Sequence, residues 1–92
     1  MSTIQPNSDW LVDSGATNHV TNDLENLAIH YPYTGPDELF VGDGSGLRIS
    51  NTGSFKLNGI SFNDVLHVPS IHKNIISVSR FTKHHNLAIV FL

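Results

Sequence analysis

A chain of 92 residues, of which 39% are hydrophobic, suffices for one small domain with a modest core, and such a domain often needs a partner subunit. The absence of cysteine excludes disulfide bonds, thiolate zinc sites and cysteine nucleophiles. The net charge of −3 and the five scattered Lys and Arg residues give no basic stripe for nucleic acid, and no segment is long and apolar enough to enter a membrane. We therefore expect a soluble, intracellular domain without direct nucleic-acid or membrane contacts.

The first half of the chain predicts short strands separated by loops. Residues 1–9 are polar and contain a proline, so we expect a flexible N-terminal arm. The continuous apolar run at 10–12 predicts a buried strand, and the polar residues after it predict a loop before a weak strand at 28–31. Two prolines and a glycine within residues 31–38 predict a surface loop.

The second half predicts two β-hairpins. The arms of the first are residues 39–41 and 47–50, which flank the glycine-rich tip GDGSG. The arms of the second are residues 53–59 and 61–69, which meet at the sequence Asn-Gly, a strong signal for a two-residue turn. The pattern is typical of a β-meander.

The C-terminal end predicts one helix and one strand. The helical spacing of Ile76, Arg80 and Phe81 indicates a short helix over 76–85, and the apolar run at 86–92 indicates a final strand. Such a strand would expose an apolar edge to water unless it pairs with another strand.

Asp13 occupies an unusual position, directly after the apolar run WLV and before Ser-Gly. The neighbouring residues include no Lys or Arg that could pair with its carboxylate. A buried, unpaired carboxylate is costly, so this placement indicates either an ordinary turn, in which Asp13 accepts hydrogen bonds from its own backbone, or a functional site.

Two other features have more than one interpretation. The tip GDGSG could cradle a phosphate through its backbone amides, but it lacks the Lys-Ser/Thr of a nucleotide-binding loop and no helical pattern follows it. A plain tight hairpin is the other simple interpretation. The six histidines, at positions 19, 30, 67, 72, 84 and 85, are spread over different elements, so we predict no metal site. For His19 we expect a structural hydrogen bond.

Four segments occur in the order seen in one family of proteases. They are LVDSGA at 11–16, LFVGDGSGLRI at 39–49, VLHVP at 65–69, and NIIS at 74–77, the last followed by a helix and the sequence AIVF. On these segments the chain resembles the retropepsins, the dimeric aspartic proteases of retroviruses and retrotransposons, and is most similar to the copia-type branch. The ordered set is far more specific than the Asp-Ser-Gly triplet alone.

The resemblance implies a fold and an activity. The fold would be an all-β, closed β-barrel subunit over residues 10–92, with a flap hairpin and one short C-terminal helix. The activity would be that of a homodimeric aspartic endopeptidase, without a cofactor, that cleaves a Gag-Pol-type polyprotein in a cytoplasmic retrotransposon particle. Asp13 of each chain would be catalytic, because two carboxylates that share one proton can act as general base and general acid on one water.

The resemblance also implies roles for the residues around Asp13. Ser14 would brace the active-site loop across the dimer interface, Gly15 would let backbone amides approach the carboxylates, and Ala16 would keep the surroundings small and dry. The loop would be supported by Ile75, Ile76 and Ser77. The dimer contacts would come from Ser14, Ile89, Val90, Phe91 and Leu92. A flap that covers an extended peptide would be formed by Val41, Gly42, Asp43, Gly44, Ser45 and Gly46. Because only twelve residues precede Asp13, we expect a thinner dimer interface than in retroviral members.

Two alternatives to an active protease stay open. One is a domesticated or inactive retropepsin-like domain that only dimerises or binds peptide, and a cleavage assay separates it from an enzyme. The other is an unrelated small β-domain that acts as an interaction module, which a monomeric state with an exposed Asp13 would favour.

Overall fold

The computed structural model describes residues 9–84, with eight β-strands and one α-helix. A short 3-10 helix, Leu24–Asn26, lies between the second and third strands. The mainly β architecture with one short helix near the C-terminus, predicted from the sequence, is confirmed. The strands are β1 (Trp10–Asp13), β2 (Val20–Thr21), β3 (Ile29–Pro32), β4 (Glu38–Phe40), β5 (Gly46–Arg48), β6 (Asn51–Leu57), β7 (Ile60–His67) and β8 (Asn74–Ser77), and the helix is α1 (Val78–His84).

Six strands form one sheet in the order β1-β8-β2-β7-β6-β3, while β4 and β5 form a separate two-stranded sheet. Strand β8 pairs in parallel with β1 and antiparallel with β2. Within residues 9–84 the larger sheet stays open, which differs from the closed barrel that the resemblance implies. The opening lies between the edge strands β1 and β3, and β3 ends at Pro32, which has no N–H to extend a ladder.

The predicted hairpin turn at Asn58 and Gly59 joins β6 to β7. Both residues have positive φ, 52° and 80°, which is the backbone conformation that a two-residue hairpin turn needs and that Asn and Gly tolerate best. Further along β7, Asp64 also has a positive φ of 56°, where β7 carries one more residue than β6 between two paired positions.

The described residues form a core of two apolar clusters. The first contains Leu27, Phe55, Phe62, Val65 and Ile76. Although β1 and β6 are not adjacent in the sheet, the sheet curls enough to stack Trp10 of β1 on Phe55 at 4.7 Å between ring centroids. Phe55 stacks in turn on Phe62 at 4.8 Å. Aromatic stacking therefore ties the strand that carries Asp13 to the central hairpin.

The second cluster anchors the separate hairpin. It contains Val20, Ile49 and Val68, all buried, and Leu39 of β4 and Leu47 of β5 pack against it. The base of the β4-β5 hairpin is thus fixed to the body of the domain by apolar side chains.

The strand predicted at 10–12 forms as β1, but the prediction that it is buried is wrong. Leu11 and Val12 are exposed, because β1 lies at the edge of the described sheet and has a neighbour there on one side only.

The structure also corrects two predictions of secondary structure. Strand β2 lies in a segment that we predicted as a loop, and α1 begins at Val78 and not at residue 76. The reason for the second difference is pairing: Ile76 lies in the ladder opposite Val12 of β1, so it continues β8. The predicted C-terminal strand over 86–92 lies outside the described residues. No helix in the part of the chain described here is long and apolar enough to cross a membrane.

Candidate active site

Asp13 is the last residue of β1 and lies opposite Ser77 of β8. Its side chain is partly buried, and Oδ1 accepts a hydrogen bond of 2.8 Å from the backbone N–H of Gly15. Within residues 9–84 the carboxylate forms no ion pair. The Gly15 bond is the one expected of an ordinary turn, and it also holds the carboxylate in a defined orientation.

The loop after Asp13, residues 14–18, is held by the start of α1. The carbonyl oxygen of Ala16 accepts a 2.7 Å hydrogen bond from the hydroxyl of Ser77. Arg80 donates from Nε to the carbonyl oxygen of Thr17 at 3.2 Å and from Nη2 to Oδ1 of Asn18 at 3.1 Å. We call residues 14–18 the Asp13 loop, and these contacts fix its second half to β8 and α1.

Of the predicted support residues, Ser77 contacts this loop, while Ile75 and Ile76 lie in β8 beside β1. Ile76 is buried in the first core cluster, and Ile75 packs against the second. Ser77 is fully buried, and its hydroxyl also accepts a 3.1 Å hydrogen bond from the backbone N–H of Arg80. Ser77 therefore ends β8, caps the first turn of α1 and contacts the Asp13 loop.

His19 is a further site residue, for which the sequence predicted only a structural hydrogen bond. It is 2% exposed, and its Nδ1 accepts a 3.0 Å hydrogen bond from the backbone N–H of Ser77. The ring also meets Phe62 edge to face at 5.5 Å. Neither His19 nor Arg80 was among the predicted site residues, because their partners lie about sixty residues away in sequence.

The predicted flap residues form the tip of the β4-β5 hairpin. The backbone N–H of Gly44, a residue with φ 88°, donates to the carbonyl oxygen of Val41 at 2.8 Å. The backbone N–H of Val41 donates to the carbonyl oxygen of Ser45 at 3.0 Å. Val41 is half-buried, and residues 42–46 are exposed. The tip belongs to a different sheet from Asp13.

The polar residues of the tip bond to each other. Oδ1 of Asp43 accepts from the backbone N–H of Ser45 at 2.9 Å and from its hydroxyl at 2.6 Å. These hydrogen bonds lower the pKa of Asp43 because they favour the charged carboxylate, and the bond from the Ser45 hydroxyl contributes most. Asp43 and Ser45 thus give a glycine-rich tip a defined shape.

Other predicted residues lie elsewhere or are not described. The predicted interface residues Ile89, Val90, Phe91 and Leu92 fall outside the described residues, and Ser14 is exposed. Within residues 9–84 no group of three or more His, Asp or Glu residues could hold a metal ion.

Sequence comparison places the chain in a family. Residues 10–86 match the family described as "Pol polyprotein, beta-barrel domain". The match covers most of the 92 residues, and the described part of the chain is mainly β, so the chain belongs to this family of Pol polyprotein domains.

Two curated relatives are Pol polyproteins of plant transposons. The chain is 46% identical over 88 residues to the retrovirus-related Pol polyprotein from transposon RE1 of Arabidopsis thaliana. It is equally similar to the retrovirus-related Pol polyprotein from transposon RE2 of the same plant. Each alignment covers 91% of this chain but only 6% of the relative, so the chain corresponds to a small part of each polyprotein. No solved structure matches the chain.

Proposed function

We propose that this chain is one subunit of a retropepsin-type aspartic endopeptidase that cleaves a Gag-Pol-type polyprotein. The observation that carries the proposal is the placement of Asp13. Its carboxylate is partly exposed at the end of an apolar strand, is oriented by the N–H of Gly15, and is followed by a loop that buried Ser77 holds in place. Family membership supports the proposal, because the relatives are Pol polyproteins.

The proposed reaction needs two Asp13 side chains. One carboxylate takes a proton from water while the other, protonated, donates a hydrogen bond to the substrate carbonyl. Two carboxylates at about 3 Å cannot both ionise, so the pair holds one proton between them. The chain contains one Asp-Ser-Gly sequence, so the second carboxylate comes from a second copy of the chain.

The edge strand β1 supports association through this side of the molecule. Within residues 9–84 it pairs with β8 on one side only, and Leu11 and Val12, next to Asp13, are 46% and 63% exposed. A second copy that covers these side chains would bring the two Asp13 residues together about a two-fold axis.

The β4-β5 hairpin supports a role in substrate binding. Its base is anchored by Leu39 and Leu47, while the tip at 42–46 is exposed and rich in glycine. A hairpin of this kind can close over an extended peptide and donate main-chain hydrogen bonds to it.

A proteome-derived peptide library, incubated with the 92-residue chain and analysed by mass spectrometry, tests the proposed activity. We expect internal cleavage, and we expect a peptide with a statine residue in place of the cleaved dipeptide to inhibit it. Binding of the statine peptide without any cleavage would instead identify a peptide-binding domain that has lost catalysis.

We predict a bell-shaped dependence of kcat/KM on pH, with its maximum on the acid side of neutrality. The doubly ionised pair would lack the general acid and the doubly protonated pair would lack the general base, so activity should fall on both sides of the maximum. The measurement is cleavage of one identified peptide across the pH range. A rate that keeps rising from about pH 7 to 9 would contradict a shared-proton dyad.

We predict a weak homodimer, with specific activity that rises with protein concentration. Each apolar side chain buried contributes about 1.5 to 3 kcal/mol, and association costs a comparable or larger amount, so we expect micromolar dissociation. Sedimentation and specific activity are measured together from about 1 nM to 100 μM. A chain truncated after Leu87, without the predicted interface strand, should dimerise less well.

The edge of β1 offers a matched pair of variants for the same measurement. Val12→Lys should weaken the dimer about tenfold or more, because it would place a charge in the interface. Leu57→Lys changes another exposed apolar residue, at the end of β6, and should not affect association. Equal sedimentation of the two variants would show that β1 is not at the interface.

A further inference from the structure

We propose that His19 and Ser77 are positioning residues for Asp13. They would act through a chain of hydrogen bonds that begins in the buried interior and fixes the Asp13 loop. The inference rests on the proposed function for its catalytic consequence, but the chain of hydrogen bonds can be tested without an activity.

The first bond sets the state of the histidine. The backbone N–H of Ser77 can only donate, so Nδ1 of His19, at 3.0 Å, must be the acceptor. An acceptor Nδ1 carries no proton, so the ring is neutral and its proton is on Nε2. If the ring were protonated, its Nδ1–H would face the backbone N–H of Ser77, and neither group could accept a hydrogen bond. This arrangement is costly at a position that is 2% exposed.

The second step leads from Ser77 to the Asp13 loop. The Ser77 hydroxyl has one proton, which it donates to the carbonyl oxygen of Ala16 at 2.7 Å, while its oxygen accepts from the N–H of Arg80 at 3.1 Å. His19 thus holds the backbone of Ser77, and the Ser77 side chain holds Ala16. Gly15, whose N–H orients the Asp13 carboxylate, lies directly before Ala16.

The path from His19 to the carboxylate is short and mostly buried. His19 and Ser77 are each at most 2% exposed, whereas Gly15 is exposed and therefore depends on its neighbours for order. A displacement of the Asp13 loop by a fraction of an ångström would misdirect the carboxylate, and small misplacements of reacting groups can cost about 100-fold in rate. We infer that the buried residues of this path serve the geometry of Asp13 as well as the stability of the fold.

The test compares variants that keep or remove the acceptor at the position of Nδ1. His19→Leu fills a similar space but cannot accept a hydrogen bond, whereas His19→Asn places an oxygen where Nδ1 lies. We expect His19→Leu to lower kcat by roughly 10- to 100-fold, with KM little changed, and His19→Asn to recover most of the loss. Activities are measured at protein concentrations where sedimentation shows the same dimer fraction.

A second readout does not need activity. Hydrogen exchange of the Gly15 amide reports whether its bond to Asp13 persists, and we expect about tenfold faster exchange in His19→Leu but not in His19→Asn. Ser77→Ala, which removes only the hydroxyl, should have the same effect as His19→Leu. The ring of His19 in the unsubstituted chain should show the Nε2–H tautomer by nitrogen-15 NMR.

Phe62→Leu is the control for general destabilisation. It weakens the core and the ring contact with His19 but leaves the bond between His19 and Ser77 in place. Faster Gly15 exchange in Phe62→Leu equal to that in His19→Leu would overturn the proposal, as would equal behaviour of His19→Leu and His19→Asn. If the unsubstituted chain cleaves no peptide, the proposed function fails, while the exchange results still decide whether His19 and Ser77 fix the loop.

Discussion

Asp13→Asn is expected to reduce peptide cleavage by about 10⁴-fold, because in a homodimer it removes the general base and the general acid together. The amide is nearly the same size as the carboxylate, and its oxygen can still accept the hydrogen bond from Gly15. We therefore expect the fold and the melting temperature to be retained, or the melting temperature to rise, since two neutral amides do not repel each other. The measurements are kcat/KM on an identified peptide and thermal unfolding by circular dichroism.

Asp37→Asn provides the matched control for this variant. Asp37 is exposed and lies before β4. Within residues 9–84 its carboxylate makes one long contact, 3.4 Å from the hydroxyl of Tyr33. The same chemical change should leave kcat/KM within about twofold of the original. If Asp13→Asn retained more than a few per cent of the activity, Asp13 would not be the catalytic acid and base.

Asn74→Ala is expected to lower the free energy of unfolding by about 3 to 5 kcal/mol, because it leaves three polar partners with fewer hydrogen bonds. Asn74 is fully buried, and its Oδ1 accepts from the hydroxyl of Thr21 at 2.7 Å and from the N–H of Asn22 at 3.1 Å. Its Nδ2 donates to the carbonyl oxygen of Asp9 at 3.1 Å. The free energy of unfolding of a 92-residue domain is about 5 to 14 kcal/mol in total, so the expected loss is a large part of its stability.

Urea unfolding at one fixed protein concentration measures this effect, since association would otherwise shift the midpoint. Lys73→Ala changes the exposed residue next to Asn74 and should cost less than about 0.5 kcal/mol. A loss below about 1 kcal/mol in Asn74→Ala would mean that water or a neighbouring side chain replaces the amide.

The sequence predicted best those elements that local chemistry determines. The Asn58-Gly59 turn follows from the two residues that tolerate positive φ. The existence of strand β1 follows from its continuous apolar run, although the predicted burial of that run is wrong for Leu11 and Val12. The position of Asp13 at the end of β1 could be predicted for the same reason.

Elements that depend on distant partners could not be predicted in this way. Strand β2 has only two residues in a polar segment, and it becomes a buried strand because β7 and β8 pair with it on either side. The helical spacing across residues 76–85 predicted a helix from Ile76 onward. Ile76 and Ser77 form a strand instead, because they pair with β1.

The buried polar residues were the hardest to predict. Thr21 and Asn74 belong to residue types that are usually exposed, and His19 to a type of intermediate burial. Their burial depends on hydrogen-bond partners about fifty residues away or more. A single sequence shows the residue types but not these pairs.

The parallel pairing of β1 with β8 also determines when the site can form. Trp10 lies opposite Asn74 and Asp13 opposite Ser77, so the two strands come from opposite ends of the described chain. Strands so far apart in sequence have a high contact order and pair slowly, because a large loop must close before the two strands can make contact. During synthesis Asp13 leaves the ribosome before β8, so β1 lacks its β8 partner until that strand has followed. The growing chain therefore carries Asp13 without the contacts from Ser77 until about sixty more residues have been made.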